Sequence, residues 1–359
     1  MQIDVHQHFF AHAPTYRDEH AQDWLHRDSR VQGYADVPHV LAAMDAAGID
    51  VAVFQGEYLL HHENCVARNR HIKAICATAP DRLRAFAMIQ PRHPAACDEI
   101  ARCMDAGMWG VGELNPASQQ FSIRDRAVQQ VLAYCTMHAI PMLFHVNEPV
   151  GRAYPGKSPT GLPVFYEIAA RYPELRMILA HWGGGLLWYE TMPAVRRVLA
   201  NVYYDTAASP LIFPDTATIV QMALLTAPHK ILFGSDFPLR LTPTQPAALA
   251  PFVTQLMQAL PTDALRTAWF GGNAQALIDG PRQPPSSPVI GGLVIDAQTS
   301  VVALIERYPQ LAGLLASYGI HVDEHTPWWQ TLHSATALAG NPPQRFHELI
   351  NVLRQAVAV

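Results

Sequence analysis

Met1-Gln-Ile-Asp-Val-His-Gln-His8 opens the chain. Ile3 and Val5 mark a short apolar strand, with Asp4, His6 and His8 at alternate positions. Residues two apart along a strand point to the same face. His6 and His8 therefore project side by side, roughly 6–7 Å apart along the strand. Two imidazoles so placed can hold one metal ion. The octet also reads as a polar edge strand with incidental histidines, and a short motif alone does not separate the two. The repeat that this strand begins does.

From Asp36 to Gly48, Val37, Val40, Leu41 and Met44 recur at helical spacing, with Pro38 in the first turn and a glycine at the end. Residues 49–55 are a β-branched apolar run, a second buried strand. The unit then recurs. Helices fit 63–79, 94–107, 124–138, 162–172, 187–199 and 215–225. Strands fit 83–89, 109–114, 141–146, 175–180, 202–205 and 230–234, and two more helices fit 246–259 and 262–278. Continuous apolar strands between amphipathic helices predict a parallel sheet buried on both faces. Eight such units close into a (β/α)8 TIM barrel. An open doubly wound sheet is the alternative, but no glycine-rich phosphate loop follows the first strand. The polar stretch from Phe9 to Ala35 exceeds an ordinary connection and reads as an active-site lid.

Residues 280–292, Gly-Pro-Arg-Gln-Pro-Pro-Ser-Ser-Pro-Val-Ile-Gly-Gly, carry four prolines and no periodicity, which predicts a linker. Beyond it a small all-α domain is expected over 293–359. Thr299 caps a helix bearing Val301, Leu304 and Ile305, then come Leu311, Leu314 and Leu315, and Phe346, Leu349, Ile350 and Leu353 mark a last helix. The expected organisation is a barrel over 1–279, a linker over 280–292 and an accessory domain over 293–359. Net charge is −5 with no Lys/Arg-rich run, which argues against nucleic acid or an anionic membrane as main partner. Five cysteines form no C-x-x-C, and no signal segment opens the chain, so a reducing cytoplasm is expected. No apolar run reaches the ~18–20 residues that span a bilayer. A small-molecule substrate and a homodimer, the commonest oligomer, are the expected partners.

Catalytic groups of such a barrel sit at the carboxyl ends of its strands. His6 and His8 end the first strand, Glu113 the fourth, His145 the fifth, His181 the sixth and Asp236 the eighth. Asn147 and Glu148 lie just past His145, and Asp205 ends the seventh strand. Barrel mouths are polar in any case. Six ligand-type side chains at five strand ends still point to a metal centre.

This set resembles the amidohydrolase superfamily, and more closely the branch that includes aminocarboxymuconate-semialdehyde decarboxylase. Four strings carry the likeness: Leu-Ala-His-Trp-Gly-Gly-Gly (179–185), Val-Tyr-Tyr-Asp-Thr-Ala-Ala (202–208), Ile-Leu-Phe-Gly-Ser-Asp-Phe-Pro (231–238) and Gly-Gly-Asn-Ala (271–274). It covers about residues 1–279. The resemblance implies that His6, His8 and His145 ligate a divalent metal, zinc in the first instance and manganese as the alternative, with one or two ions bound. Asp236 would be a further ligand and the general base toward water on the metal. His181 would hold a second ion or hydrogen-bond the substrate carbonyl. Glu113 would either bridge two metals or orient a ligand histidine. Asp4 is expected to support the ligands rather than join them.

Arg152 and Arg240 are candidates to hold a substrate carboxylate, with Lys157 a solvated charge. Tyr154, Trp182 and Phe237 are candidate pocket walls. Residues 300–320 resemble a small helical domain found beside hybrid-cluster and iron–sulfur repair proteins. That family has cysteines after its Gly-Ile, whereas His321, Asp323, Glu324 and His325 stand here. Cysteine redox chemistry is thereby excluded, the four polar residues read as a solvated loop rather than a His/Asp metal site, and an accessory unit is expected that would dock a protein partner if Trp328 and Trp329 are exposed. The leading expectation is a metal-dependent hydrolase of an amide, ester or lactone in a small, carboxylate-bearing substrate. A second is mononuclear zinc-dependent decarboxylation or hydration of a small unsaturated or aromatic acid. A third is a barrel that has lost catalysis and serves as a binding or scaffold module. The presence of all six donors argues against the third.

Overall fold

The computed structural model describes residues 1–11, 28–154, 156–279, 301–323 and 330–357, and residues 295, 299 and 326 singly. The chain divides into two compact units, Met1–Pro285 and Ser286–Val359.

In the first unit eight strands lie in chain order: β1 (Ile3–Gln7), β2 (Val51–Phe54), β3 (Leu83–Ala87), β4 (Gly110–Leu114), β5 (Met142–Phe144), β6 (Met177–Leu179), β7 (Val202–Asp205) and β8 (Ile231–Leu232). Every neighbouring pair is parallel. The ring closes beyond β8: the Val5 N–H donates to Phe233 O at 2.9 Å, and the Asp236 N–H donates to His6 O at 2.8 Å. Helices α1 (Val37–Ala47), α2 (His62–Cys76), α3 (Ala96–Asp105), α4 (Arg126–Met137) and α5 (Leu162–Arg171) connect the first six strands. The architecture is a (β/α)8 TIM barrel.

The helix ends follow their chemistry. The Asp36 side chain accepts the His39 N–H and starts α1, and Gly48 ends it in the left-handed conformation. Alternation along the strands separates two apolar clusters. A small one holds Ile3, Val5, Val51, Val53, Phe86, Leu143, Ile178 and Leu232, nearly all strand residues, and is the barrel interior. The larger one joins the opposite strand faces to the helices.

Two expected helices differ. Over 187–199 the chain forms a 3-10 turn, Leu186–Thr191, then a separate helix, Pro193–Val198. Pro193 has no N–H to continue the first piece. Over 262–278 three pieces follow one another, Asp263–Thr267, Ala268–Gly272 and Asn273–Asp279. The kink is at Gly271, where a Cβ would lie 2.1 Å from the Met1 carbonyl oxygen. The first strand therefore seats directly on this turn. The lid expected within 9–35 falls mostly on residues 12–27, outside the described residues, as does the linker of 280–292.

The second unit is helical: Val301–Arg307, Ala312–Ser317, Leu332–Leu338 and Pro343–Val357. Its own core gathers Val301, Leu304, Leu311, Leu315, Leu332, Leu349 and Leu353. Trp328 and Trp329 lie outside the described residues. No helix among the described residues is long and apolar enough to cross a membrane.

At the barrel base a buried ion pair replaces apolar packing. Lys230 Nζ donates to Glu190 Oε2 at 2.7 Å and to Leu199 O at 2.8 Å, and the Tyr204 hydroxyl donates to Glu190 Oε1 at 2.6 Å. Removing one partner leaves a buried charge uncompensated, a loss of about 3–5 kcal/mol. Lys230→Met should thus lower unfolding stability by ~3 kcal/mol or more, and Lys230→Met with Glu190→Gln should recover part of it. Urea unfolding of the three proteins checks this, and equal stability of the single and double variants would contradict it.

Candidate metal centre

The six donors reach one mouth from five strand ends. His6 and His8 come from β1, Glu113 from β4, and His145, His181 and Asp236 from just beyond β5, β6 and β8. All six are buried. Five of them fall into two sets that share Glu113, and Asp236 lies beside the first. In the first, His6 Nε2 and His8 Nε2 are 3.2 Å apart, and Asp236 Oδ1 is 3.2 Å from His8 Nε2. Glu113 Oε2 lies 3.6 and 3.8 Å from the same two nitrogens. In the second, Glu113 Oε1 is 2.8 Å from His145 Nδ1 and 3.9 Å from His181 Nε2, and these nitrogens are 3.2 Å apart. Ligands ~2.0–2.1 Å from a tetrahedral ion lie roughly 3.3 Å from one another. The donor spacing fits a divalent metal.

Three of the four histidines, His6, His145 and His181, have their other nitrogen committed. His6 Nδ1–H donates to Asp205 Oδ2 at 2.8 Å. The other oxygen of Asp205 accepts the backbone N–H groups of His181 at 2.9 Å and Ala207 at 3.0 Å. His181 Nδ1–H donates to Ala207 O at 2.9 Å. His145 Nε2 faces two acceptors, Asn147 Oδ1 at 2.8 Å and Gly156 O at 3.1 Å, and so carries the proton. The lone pairs of His6 Nε2, His181 Nε2 and His145 Nδ1 are left facing the centre.

Electrostatics match this arrangement. Burial opposes charge on Glu113, yet His145 and His6 hold its carboxyl well below the usual range. Burial likewise opposes ionisation of Asp236, but the hydrogen bond from His8 and the neighbouring imidazoles bring it to about 2. Against burial, Asp205 and Glu113 raise His6 well above the ordinary imidazole value, and Glu113 raises His145. Burial and then His145 lower His181, which stays neutral. Both His181 (φ 57°) and Asp236 (φ 68°) adopt the left-handed backbone, a strain of ~1–3 kcal/mol each that clusters at functional sites.

The sequence profile of the amidohydrolase family matches residues 3–279. The chain belongs to the amidohydrolase family. It is an enzyme of that family, and the family and the donor set together support a divalent metal. No curated protein sequence matches this amidohydrolase. Solved structures of the same fold include 2,6-dihydroxybenzoate decarboxylase from Rhizobium, at 18% identity over 77% of this chain and 98% of that one, TM-score 0.56. Another is a dihydroxybenzoic acid decarboxylase from a Polaromonas species with bound manganese, at 19% identity over 77% and 96%, TM-score 0.58. A third is 5-carboxyvanillate decarboxylase from Novosphingobium aromaticivorans, also with manganese, at 17% identity over 78% and 96%, TM-score 0.59.

A cavity of about 30 Å³, room for about two water molecules, opens onto the donors. Phe10, Gln32, Tyr58, Pro238 and Leu239 line it beside His8, Glu113, His145, His181 and Asp236. The residues expected to contact substrate lie elsewhere. Trp182 is fully buried in the core, its indole N–H on Ser209 Oγ at 2.8 Å and its ring against Trp269. The left-handed turn at Trp182 (φ 59°) directs it there. Tyr154 bonds within its own loop, to Asn147 and Glu148. Arg152 is exposed and acts on Asp28. Arg240 and Phe237 line a separate cleft with Tyr34 and His39. Among the described residues lining the donor cavity, none is Lys or Arg.

Two contributors had no role in the sequence reading. Asp205 was visible as the end of β7, but its link to His6 spans the closed barrel. Tyr58 lies past β2 with its ring 5.4 Å from His145, and burial and then Glu113 keep its phenol protonated. Asp205→Asn should weaken metal binding 10–100-fold with the fold intact, read by calorimetric titration of the metal-free protein. Because His6 and His145 bind protons more tightly than a free imidazole, protons compete with metal already above pH ~6.5. Apparent affinity should therefore fall steadily from pH 8 to pH 6, and a flat profile would contradict this charge balance.

Proposed function

We propose that this amidohydrolase is a metal-dependent hydrolase acting on an amide, ester or lactone, in which His6, His8, Glu113, His145, His181 and Asp236 would hold two divalent ions. The observation that carries this reading is the division of the Glu113 carboxylate. One oxygen faces His6 and His8, and the other faces His145 and His181. A divalent ion, zinc by the imidazole-rich donor set and manganese by analogy with the bound ion of the Polaromonas protein, supplies Lewis acidity toward the carbonyl oxygen and lowers the pKa of water.

The chain's own groups divide the remaining work. Asp236, ionised at neutral pH, takes a proton from water as the water oxygen attacks the carbonyl carbon. It then passes that proton to the departing nitrogen or oxygen as the bond to carbon breaks. His181, neutral and fixed by Ala207, serves as a donor of the second set rather than as an acid. Phe10, Tyr58, Pro238 and Leu239 exclude bulk water and offer flat contact to the substrate.

Decarboxylation of a small aromatic acid is the second reading. The aromatic pair Phe10 and Tyr58 at the cavity favours it. It needs one ion, with Glu113 holding His145 in place.

Metal per chain and a substrate panel separate the two. Two ions with turnover of an ester, lactone or amide are the expected result. One ion with release of carbon dioxide from a phenolic acid would replace the hydrolase reading with the second. Asp236→Ala should reduce turnover by at least ~100-fold while leaving the circular dichroism spectrum unchanged. Retained turnover would overturn the role of Asp236.

A further inference from the structure

The loop after β5 was expected to reach for substrate with Arg152 and Tyr154. Its side chains instead bond to one another, in a line that ends on His145. Lys157 Nζ pairs with Glu148 Oε1 at 2.9 Å and sits 5.6 Å from the centre of the Tyr154 ring. The Tyr154 hydroxyl donates to Glu148 Oε2 at 2.9 Å and accepts from Asn147 Nδ2 at 2.9 Å. The amide of Asn147 is thereby oriented, since its nitrogen is spent on the phenol and its oxygen must face the other way. That oxygen takes the His145 Nε2–H at 2.8 Å and the Ser158 N–H at 2.6 Å. The second bond folds the loop back so that Gly156 O also reaches His145 Nε2, at 3.1 Å.

We propose that Asn147 is the positioning residue of the second donor set. Oriented by Tyr154, Glu148 and Lys157, it fixes the Nε2–H form of His145. The Nδ1 lone pair is then available beside His181 Nε2 and Glu113 Oε1. The inference rests on the reading that these three take a second ion. It goes further in assigning control of that half to a loop whose outer members, Glu148 and Lys157, are partly open to solvent. The first set, held by Asp205 and the β1–β8 seam, meets this relay only through the shared Glu113 and through Asp205, which also accepts the His181 N–H.

The direction of each bond makes the claim testable by side-chain chemistry rather than by size. Asn147→Leu removes the shorter of the two acceptors of His145 and, with the anchor of Ser158, the bond that brings the second acceptor, Gly156 O, into reach. Asn147→Asp keeps an acceptor for both. Tyr154→Phe removes only the group that orients the amide. Stepwise zinc titration of the metal-free full chain by calorimetry should show two events in wild type. In Asn147→Leu the second should weaken 10–100-fold with the first unchanged. Asn147→Asp should retain the second event, and Tyr154→Phe should fall between. Equal weakening by Leu and Asp would reduce the residue to a packing role and overturn the proposal, as would an unchanged second event in Asn147→Leu.

A separate readout does not depend on the number of ions. In zinc-loaded protein labelled with 15N-histidine, the Nε2–H proton of His145 should be visible and slow to exchange, and it should be lost in Asn147→Leu. His145→Gln supplies the assignment. A single binding event in wild type, with this proton present and lost as expected, would overturn the two-ion reading and leave the positioning role standing. Persistence of the proton in Asn147→Leu would overturn the positioning role whatever the ion count.

Discussion

A carboxylate placed at the middle of a barrel must be compensated, and Glu113 organises the centre around that requirement. Burying a charge without partners is prohibitive. Glu113 is 2% exposed and has donor nitrogens of four histidines within 4 Å. Asp205 and Asp236 add two more buried acids within reach of the same rings. Such a concentration of negative charge is tolerable in only two ways. Protons on His6 and His145 can neutralise it, or divalent ions can. The donor set is therefore a proton store when empty and an ion site when filled, and the two conditions exclude each other.

The backbone serves the same requirement. Asp205 connects β7 to His6 through its side chain and to the turn after β6 through the N–H groups of His181 and Ala207. A single carboxylate thus fixes one candidate donor's ring and another's main chain. The left-handed backbone at His181 is held by that contact and by the bond from its ring to Ala207 O. Strain that would otherwise relax is locked where two donors must meet.

Much of this was legible in the sequence, because period and punctuation are local. The two-residue period placed His6 and His8 on one side, and the strand–helix repeat placed six donors at one mouth. What stayed hidden depends on direction. Trp182 follows the candidate donor His181 in the chain, but its backbone turns it into the core. Arg152 and Arg240 sit close in sequence to His145 and Asp236, yet one faces solvent and the other a different cleft. Tyr154 and Lys157 have the residue types of a substrate clamp, and only the bonds among them show that they hold the loop. Proline at 193 did announce a break, but the helical spacing on either side of it masked the signal.

The closure of the ring between its first and last strands has a consequence for the order of folding. The pairing of Gln7 with Phe237 joins segments about as far apart as the barrel allows. Contacts of such sequence separation form late, because loop entropy must be overcome before they contribute. His145, His181 and Glu113 come from consecutive strands, β4 to β6, and can assemble within a partial sheet. His6, His8 and Asp236 meet only when the ends of the barrel find each other. During synthesis the amino-terminal octet must wait, unpaired on one edge, until some 230 further residues have left the ribosome. The two halves of the centre thus have different birth times, and the half that holds both histidines of the opening motif is the younger.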